Sequence, residues 1–220
     1  MVSSHWKQLA VSLSAIVIMM IGVISLSGPS LAATPVPAVN AKTDHIRGDI
    51  TKATVAVIEY GDLECPFCRA VQGTYKQIQQ VYGDNVVWVF RQFPLANHKN
   101  AHKEAEASEC VAALGGNAAF WKFVDYVYNN TTSGGTGFAL DELPTAAKAA
   151  GADRVKFNTC YKSARYATLV DRQQRAGVSA GVQVTPTNFV MHLKTKKAQM
   201  IVGAQPFGAF QTEIDSMLRP

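Results

Sequence analysis

The sequence predicts an α/β protein whose sheet is assembled from two distant parts of the chain, with an all-helical stretch inserted between them. Three observations predict it. Two apolar runs rich in β-branched residues, Val55–Ile58 and Val86–Phe93, flank a helix-like segment. From Asn97 to about Gly177, alanines, aromatics and helix formers continue without a convincing strand. The last 40 residues return to alternation, at Thr187–His192 and Ala198–Val202.

The first 33 residues read as a signal peptide or an N-terminal membrane anchor. Met1–Lys7 carries one Lys and no acid, and Leu9–Ser27 is an uncharged, largely apolar run of 19 residues. Its length suits a span, while its four serines and the small-residue pattern Ser30-Leu31-Ala32-Ala33 suit cleavage. Either reading exports the rest, because Lys7 marks the cytoplasmic side. Pro35 and Pro37 lie among small residues, so 34–43 reads as an extended linker, with the folded domain over 44–220. Lys and Arg outnumber Asp and Glu by 21 to 16, for a net charge of +5. The basic residues are scattered, which describes solvated faces and excludes a nucleic-acid surface.

The chemistry concentrates at Val55–Cys68. The β-branched run makes a buried strand, and Gly61-Asp62 turns out of it into a helix. Pro66 suits the first helical position, since its missing N–H has no partner there. Cys65 then falls at the N-cap, where the free N–H groups and the helix dipole stabilise a thiolate. Cys68 lies in the first turn on the same side, so the two sulfurs can close a disulfide, with Cys65 the exposed and reactive member. A CxxC pair is also half of a zinc site, with Cys110 and Cys160 as the remaining thiols. Those two stand 50 residues apart in helix-like segments, unlike a zinc ribbon, so redox chemistry leads and no metal is expected.

The helix predicted over Pro66–Tyr82 places Val71, Tyr75, Ile78 and Val81 on one face and stops at Gly83-Asp84-Asn85. Val86–Phe93, reached through that helix, should run parallel to the first strand. About four helices are expected in the insertion, with breaks at Gly115-Gly116, Thr131–Gly137 and Gly151. Ala107, Cys110, Val111 and Leu114 form one apolar face there, and Cys160 follows Phe157 in another segment. In an oxidising compartment these cysteines form a bridge; packed as free thiols, they would serve as small apolar residues. His98 and His102 share a helical face but lack further ligands, which leaves them surface or capping roles. Thr195–Lys197 makes the tip of a terminal hairpin, and Gln205-Pro206 opens a last helix carrying Phe207, Phe210, Ile214 and Met217 or Leu218.

Glu59, six residues before the first cysteine, together with Asp62-Leu63-Glu64-Cys65-Pro66-Phe67-Cys68, resembles the active-site segment of DsbA-like thiol:disulfide oxidoreductases. Val89–Leu95 is similar to their second strand and exit turn, and Gly181–Thr187 to their cis-proline loop. The resemblance covers roughly Asp44 to Leu218 and implies a thioredoxin-like fold with an inserted all-helical subdomain at about 97–177. It implies a Cys65/Cys68 couple that introduces disulfides into exported proteins, without a cofactor. A buried Glu59 would trade a proton with Cys68; as a strand-end carboxylate it would instead reach solvent. Pro66 and Phe67 form the dipeptide between the cysteines, a cis Pro186 lies against them, and Thr185 pairs with substrate backbone. Some members carry a second disulfide in the insertion, matching Cys110 and Cys160. The implied partners are reduced exported proteins and a quinone-linked membrane reoxidant, DsbB-like or VKOR-like. A reductase or isomerase of the same fold, or a zinc-holding secreted module, are the competing functions. Phe67 departs from the CPHC of the best-known oxidases, which points to a milder oxidant. Asp62 and Glu64 would weaken the thiolate further if they lie close to it.

Overall fold

The computed structural model describes residues 35–131 and 138–219, so the expected leader or anchor, the run 9–27 and most of the break at 131–137 lie outside the described residues. The sheet begins with a strand that alternation did not reveal. His45–Arg47 forms β1, three residues long, and pairs antiparallel with β3, Val86–Gln92. Three residues are too few to display a period. β2, Val55–Gly61, runs parallel to β3, with Val55 opposite Val86 and Gly61 opposite Gln92. Between them lies α1, Pro66–Tyr82. β4, Thr187–His192, pairs antiparallel with β2, and β5, Ala198–Val202, antiparallel with β4. The order across the sheet is β1-β3-β2-β4-β5.

Every residue of β2 and β3 is buried, because both sheet faces are covered. Val55, Val57, Trp88, Phe90 and Val190 share one core with α1, with α6 (Phe207–Leu218) and with the helical insertion. Ala56, Ile58, Tyr60, Val87 and Val89 face the other, smaller core, where Phe93 and Val182 pack. The pleat therefore sends Glu59 to the larger core, beneath the start of α1. The segment read as a loose linker packs in part. Val36 is buried, and Arg91 donates to the carbonyls of Pro37 and Ala38 while holding Asp44 through two hydrogen bonds of 2.9–3.0 Å. Composition could not show the guanidinium that meets its carbonyls.

The insertion holds α2 (Ala101–Asn130), α3 (Leu143–Ala149), α4 (Arg154–Lys162) and α5 (Ala167–Ser179). α2 bends at Gly116, whose φ of 73° suits glycine and few other residues. Leu114 consequently ends beside the bend and is exposed, although Ala107, Cys110 and Val111 are buried as expected. In α1 the buried face continues from Ile78 to Tyr82 rather than to Val81, which is exposed. A helix of 3.6 residues per turn keeps the steps 71, 75, 78, 82 on one line. Cys110 and Cys160 are joined in a disulfide, with Cα atoms 5.9 Å apart. That bridge ties α2 to α4 and removes both residues from any four-thiolate zinc site.

Candidate active site

Cys65 is the N-cap of α1, and Pro66 opens the helix without wasting an N–H donor. Both cysteines are free thiols, and both are buried: Cys65 is 2% exposed and Cys68 0%. The sequence led us to expect an open Cys65. It is covered because the peptide Thr185-Pro186, which is cis, crosses it, with the Thr185 carbonyl oxygen 3.4 Å from Cys65 Sγ. The cis proline expected at 186 is therefore against the cysteines, and Phe67, 62% exposed, projects beside them into solvent.

The two sulfurs titrate in opposite directions. Cys65 is brought down to about 6, first by a hydrogen bond from the Cys68 thiol and then, against the cost of burial, by the Thr185 hydroxyl and the backbone N–H groups of Cys68 and Phe67. Burial pushes the Cys68 thiol well up, and donating to Cys65 raises it further. Glu59 is fully buried beneath the pair. Its Oε2 accepts from Trp88 Nε1 at 3.1 Å, whereas Oε1 has no partner of ordinary geometry. Burial raises its carboxyl to about 8, against the steadying influence of Trp88 and the Cys68 thiol. Near neutral pH this carboxyl holds a proton that it can give up.

Asp62 and Glu64 do not act on the thiolate as the sequence suggested. The Asp62 carboxylate accepts from the backbone N–H groups of Glu64 and Leu95 and from His98 Nδ1, each at 2.8 Å. Glu64 Oε2 accepts from Asn100 N at 2.6 Å, which fastens the active-site turn to the start of α2. His98 is thus a half-buried partner of Asp62 rather than a surface or capping residue. His102 faces elsewhere, bridging Glu106 and Asp171. The sequence also gave no sign that Trp88 would meet Glu59, or that Tyr75 would donate to Asn188 at 2.6 Å. Trp88 shares a sheet face with Glu59 through the parallel β2–β3 register, which only the fold reveals.

A sequence profile of the family described as Thioredoxin matches residues 40–205. The chain belongs to the thioredoxin family. Among solved structures, this thioredoxin-family chain is similar to DsbA2 of Pseudomonas aeruginosa, at 24% identity and a TM-score of 0.69, covering 82% of this chain and 97% of that one. Oxidised BdbD of Bacillus subtilis is similar at 20% identity and a TM-score of 0.71, with 84% and 97% covered. The thiol-disulfide exchange protein alpha-DsbA2 of Wolbachia pipientis shares 19% identity, with a TM-score of 0.64 over 80% and 87%. The fold is therefore DsbA-like, a thioredoxin fold with a helical insertion, as the sequence predicted. The curated relatives include Na(+)/H(+) antiporters NhaA of Mycolicibacterium gilvum and Herminiimonas arsenicoxydans, each 30% identical over 155 and 154 residues. The match takes in 69–70% of this thioredoxin-family chain but 23–24% of those proteins, so the chain spans about a quarter of their length.

Proposed function

We propose that this is an exported thiol:disulfide oxidoreductase that introduces disulfides into extracytoplasmic proteins through Cys65 and Cys68. One observation carries the reading: the dithiol form stabilises charge on Cys65, at about 6, while Cys68 stays protonated. Stabilising the reduced product makes the oxidised enzyme an electron acceptor. A substrate thiolate attacks Cys65 Sγ of the enzyme disulfide, forming a new S–S bond as the Cys65–Cys68 bond breaks. The electron pair leaves on Cys68, which takes a proton from the Glu59 carboxyl. A second substrate thiolate then attacks the substrate sulfur of the mixed disulfide. The substrate departs with a disulfide and Cys65 departs as thiolate. Thr185 and the cis Pro186 beside Cys65 hold the incoming chain. The enzyme, now reduced by two electrons, needs a reoxidant, and a quinone-linked membrane protein of the DsbB-like or VKOR-like kind suits it. Export is supported by the uncharged run at 9–27 behind Lys7, whether it is cleaved or retained as an anchor.

Phe67 sets the strength of the oxidant. Its ring gives the thiolate no hydrogen bond, leaving the Cys68 thiol, the Thr185 hydroxyl and the backbone N–H groups to stabilise it. Titrated against glutathione, the Cys65/Cys68 couple should fall between about −270 mV, typical of thioredoxin, and about −120 mV, typical of the strongest oxidase. Phe67→His should move it towards the oxidising end and lower the Cys65 pKa. A potential at the reducing end would make the protein a reductase, and an unmoved potential in Phe67→His would remove the dipeptide from the account.

A further inference from the structure

Asp62 touches both halves of the redox couple. Its backbone N–H donates to Cys68 Sγ at 3.4 Å, and its carbonyl accepts from Cys65 N at 3.1 Å and from the Tyr128 hydroxyl at 3.3 Å. Its side chain is held by three donors: Glu64 N, Leu95 N and His98 Nδ1. Two of these are backbone groups that persist whatever side chains surround them. Only the histidine is a side-chain choice, and it reaches Asp62 from the loop after β3, 36 positions along the chain. A carboxylate oxygen has no proton to offer, so the hydrogen of this contact sits on Nδ1. The His98 side chain is 11% exposed and that of Asp62 is 0% exposed.

We infer that His98 is a positioning residue for thiol exchange, acting through Asp62 to aim the Asp62 N–H at Cys68 Sγ. The inference rests on the exchange reaction proposed above. In the reduced enzyme the N–H donates to Cys68, whose thiol in turn donates to the Cys65 thiolate. Bonds in such a chain polarise one another, so the first strengthens the second. The same N–H lowers the Cys68 pKa against the burial that raises it. When a substrate thiolate attacks Cys65 and the electron pair moves onto Cys68, that N–H faces the growing charge. Swinging Asp62 out of line therefore weakens the Cys65 thiolate and slows departure of Cys68, with no direct contact between His98 and either sulfur required. An ordinary packing residue would have neither effect.

His98→Ala tests this in the full exported chain. Loss of one donor to a buried carboxylate destabilises the fold in both redox states. A purely structural role ends there, lowering the melting temperatures of the oxidised and reduced forms equally. The positioning role lowers the reduced form more. It also raises the Cys65 pKa read by alkylation against pH, and shifts the equilibrium constant with glutathione at least threefold towards the reducing side, which is about 14 mV for a two-electron couple. His98→Asn keeps a donor near the Nδ1 position and should restore most of the shift. Equal losses in both redox forms, with pKa and equilibrium constant unmoved, would overturn the inference while leaving the exchange reading intact. A wild-type chain with no titratable Cys65/Cys68 couple would overturn both.

Discussion

Cys65→Ser reduces thiol exchange to the uncatalysed background, whereas Cys68→Ser accumulates mixed disulfides with substrate proteins. The two outcomes differ because the sulfurs differ in charge. Cys65 is a thiolate over most of the neutral range, and its sulfur lies 3.4 Å from the Thr185 carbonyl oxygen. A serine hydroxyl there is neither nucleophile nor redox partner at neutral pH. Cys68 is fully buried and held as a thiol, so in the proposed exchange it leaves and returns, trading its proton with Glu59. With serine at 68 the Cys65 thiolate can attack a disulfide of a substrate and expel one of its thiolates, but the resulting mixed disulfide cannot be cleaved from within. Non-reducing electrophoresis followed by mass spectrometry should show Cys65 linked to substrate peptides in Cys68→Ser and nothing comparable in Cys65→Ser. Trapping through Cys68 in Cys65→Ser would reverse the assignment of roles.

Removing the Cys110–Cys160 bridge by a double alanine substitution has the second largest expected effect. A cross-link spanning 50 residues restricts the unfolded chain by roughly 3 to 4 kcal/mol in the chain-entropy description. For a domain of this size that is a drop in melting temperature of about 10 °C. The loss should reach the active site as well, because α2 carries Cys110 and also supplies, at its N-terminus, the Asn100 N–H that holds Glu64. Thermal unfolding of the wild type and the double variant, both with the Cys65/Cys68 couple reduced, measures the first effect. An unchanged midpoint would mean that the bridge is dispensable to the insertion.

Much of this was legible in the sequence, and the remainder was hidden for identifiable reasons. The terminal hairpin lies at 187–192 and 198–202, the two segments that the sequence marks as its strands. The N-cap position of Cys65 follows from Pro66 alone. Burial of Glu59 follows from resemblance rather than from its residue type, because a lone carboxylate in an apolar run has two readings until its neighbours are known. The depth of Cys65 depended on a loop 120 residues away, and no local pattern encodes that distance. His98 was misjudged because helical spacing paired it with His102. The real partner, Asp62, belongs to a turn that looked complete with its glycine. Val184, 46% exposed and next to Thr185 in the chain, was likewise not singled out.

The proposed exchange requires a stabilised Cys65 thiolate, and the rate of Cys65 alkylation as a function of pH measures it directly in the reduced enzyme. The folded-state pKa lies below the ordinary value of 9.0, so the thiolate stabilises the reduced fold fully above about 9 and loses that contribution as pH falls through about 6. Alkylation of Cys65 should follow the same titration, with a midpoint near pH 6 and a tenfold fall for each unit below it, while Cys68 remains unreactive throughout. A midpoint near the ordinary thiol range of about 8.5, or equal rates for the two cysteines at pH 6, would contradict it.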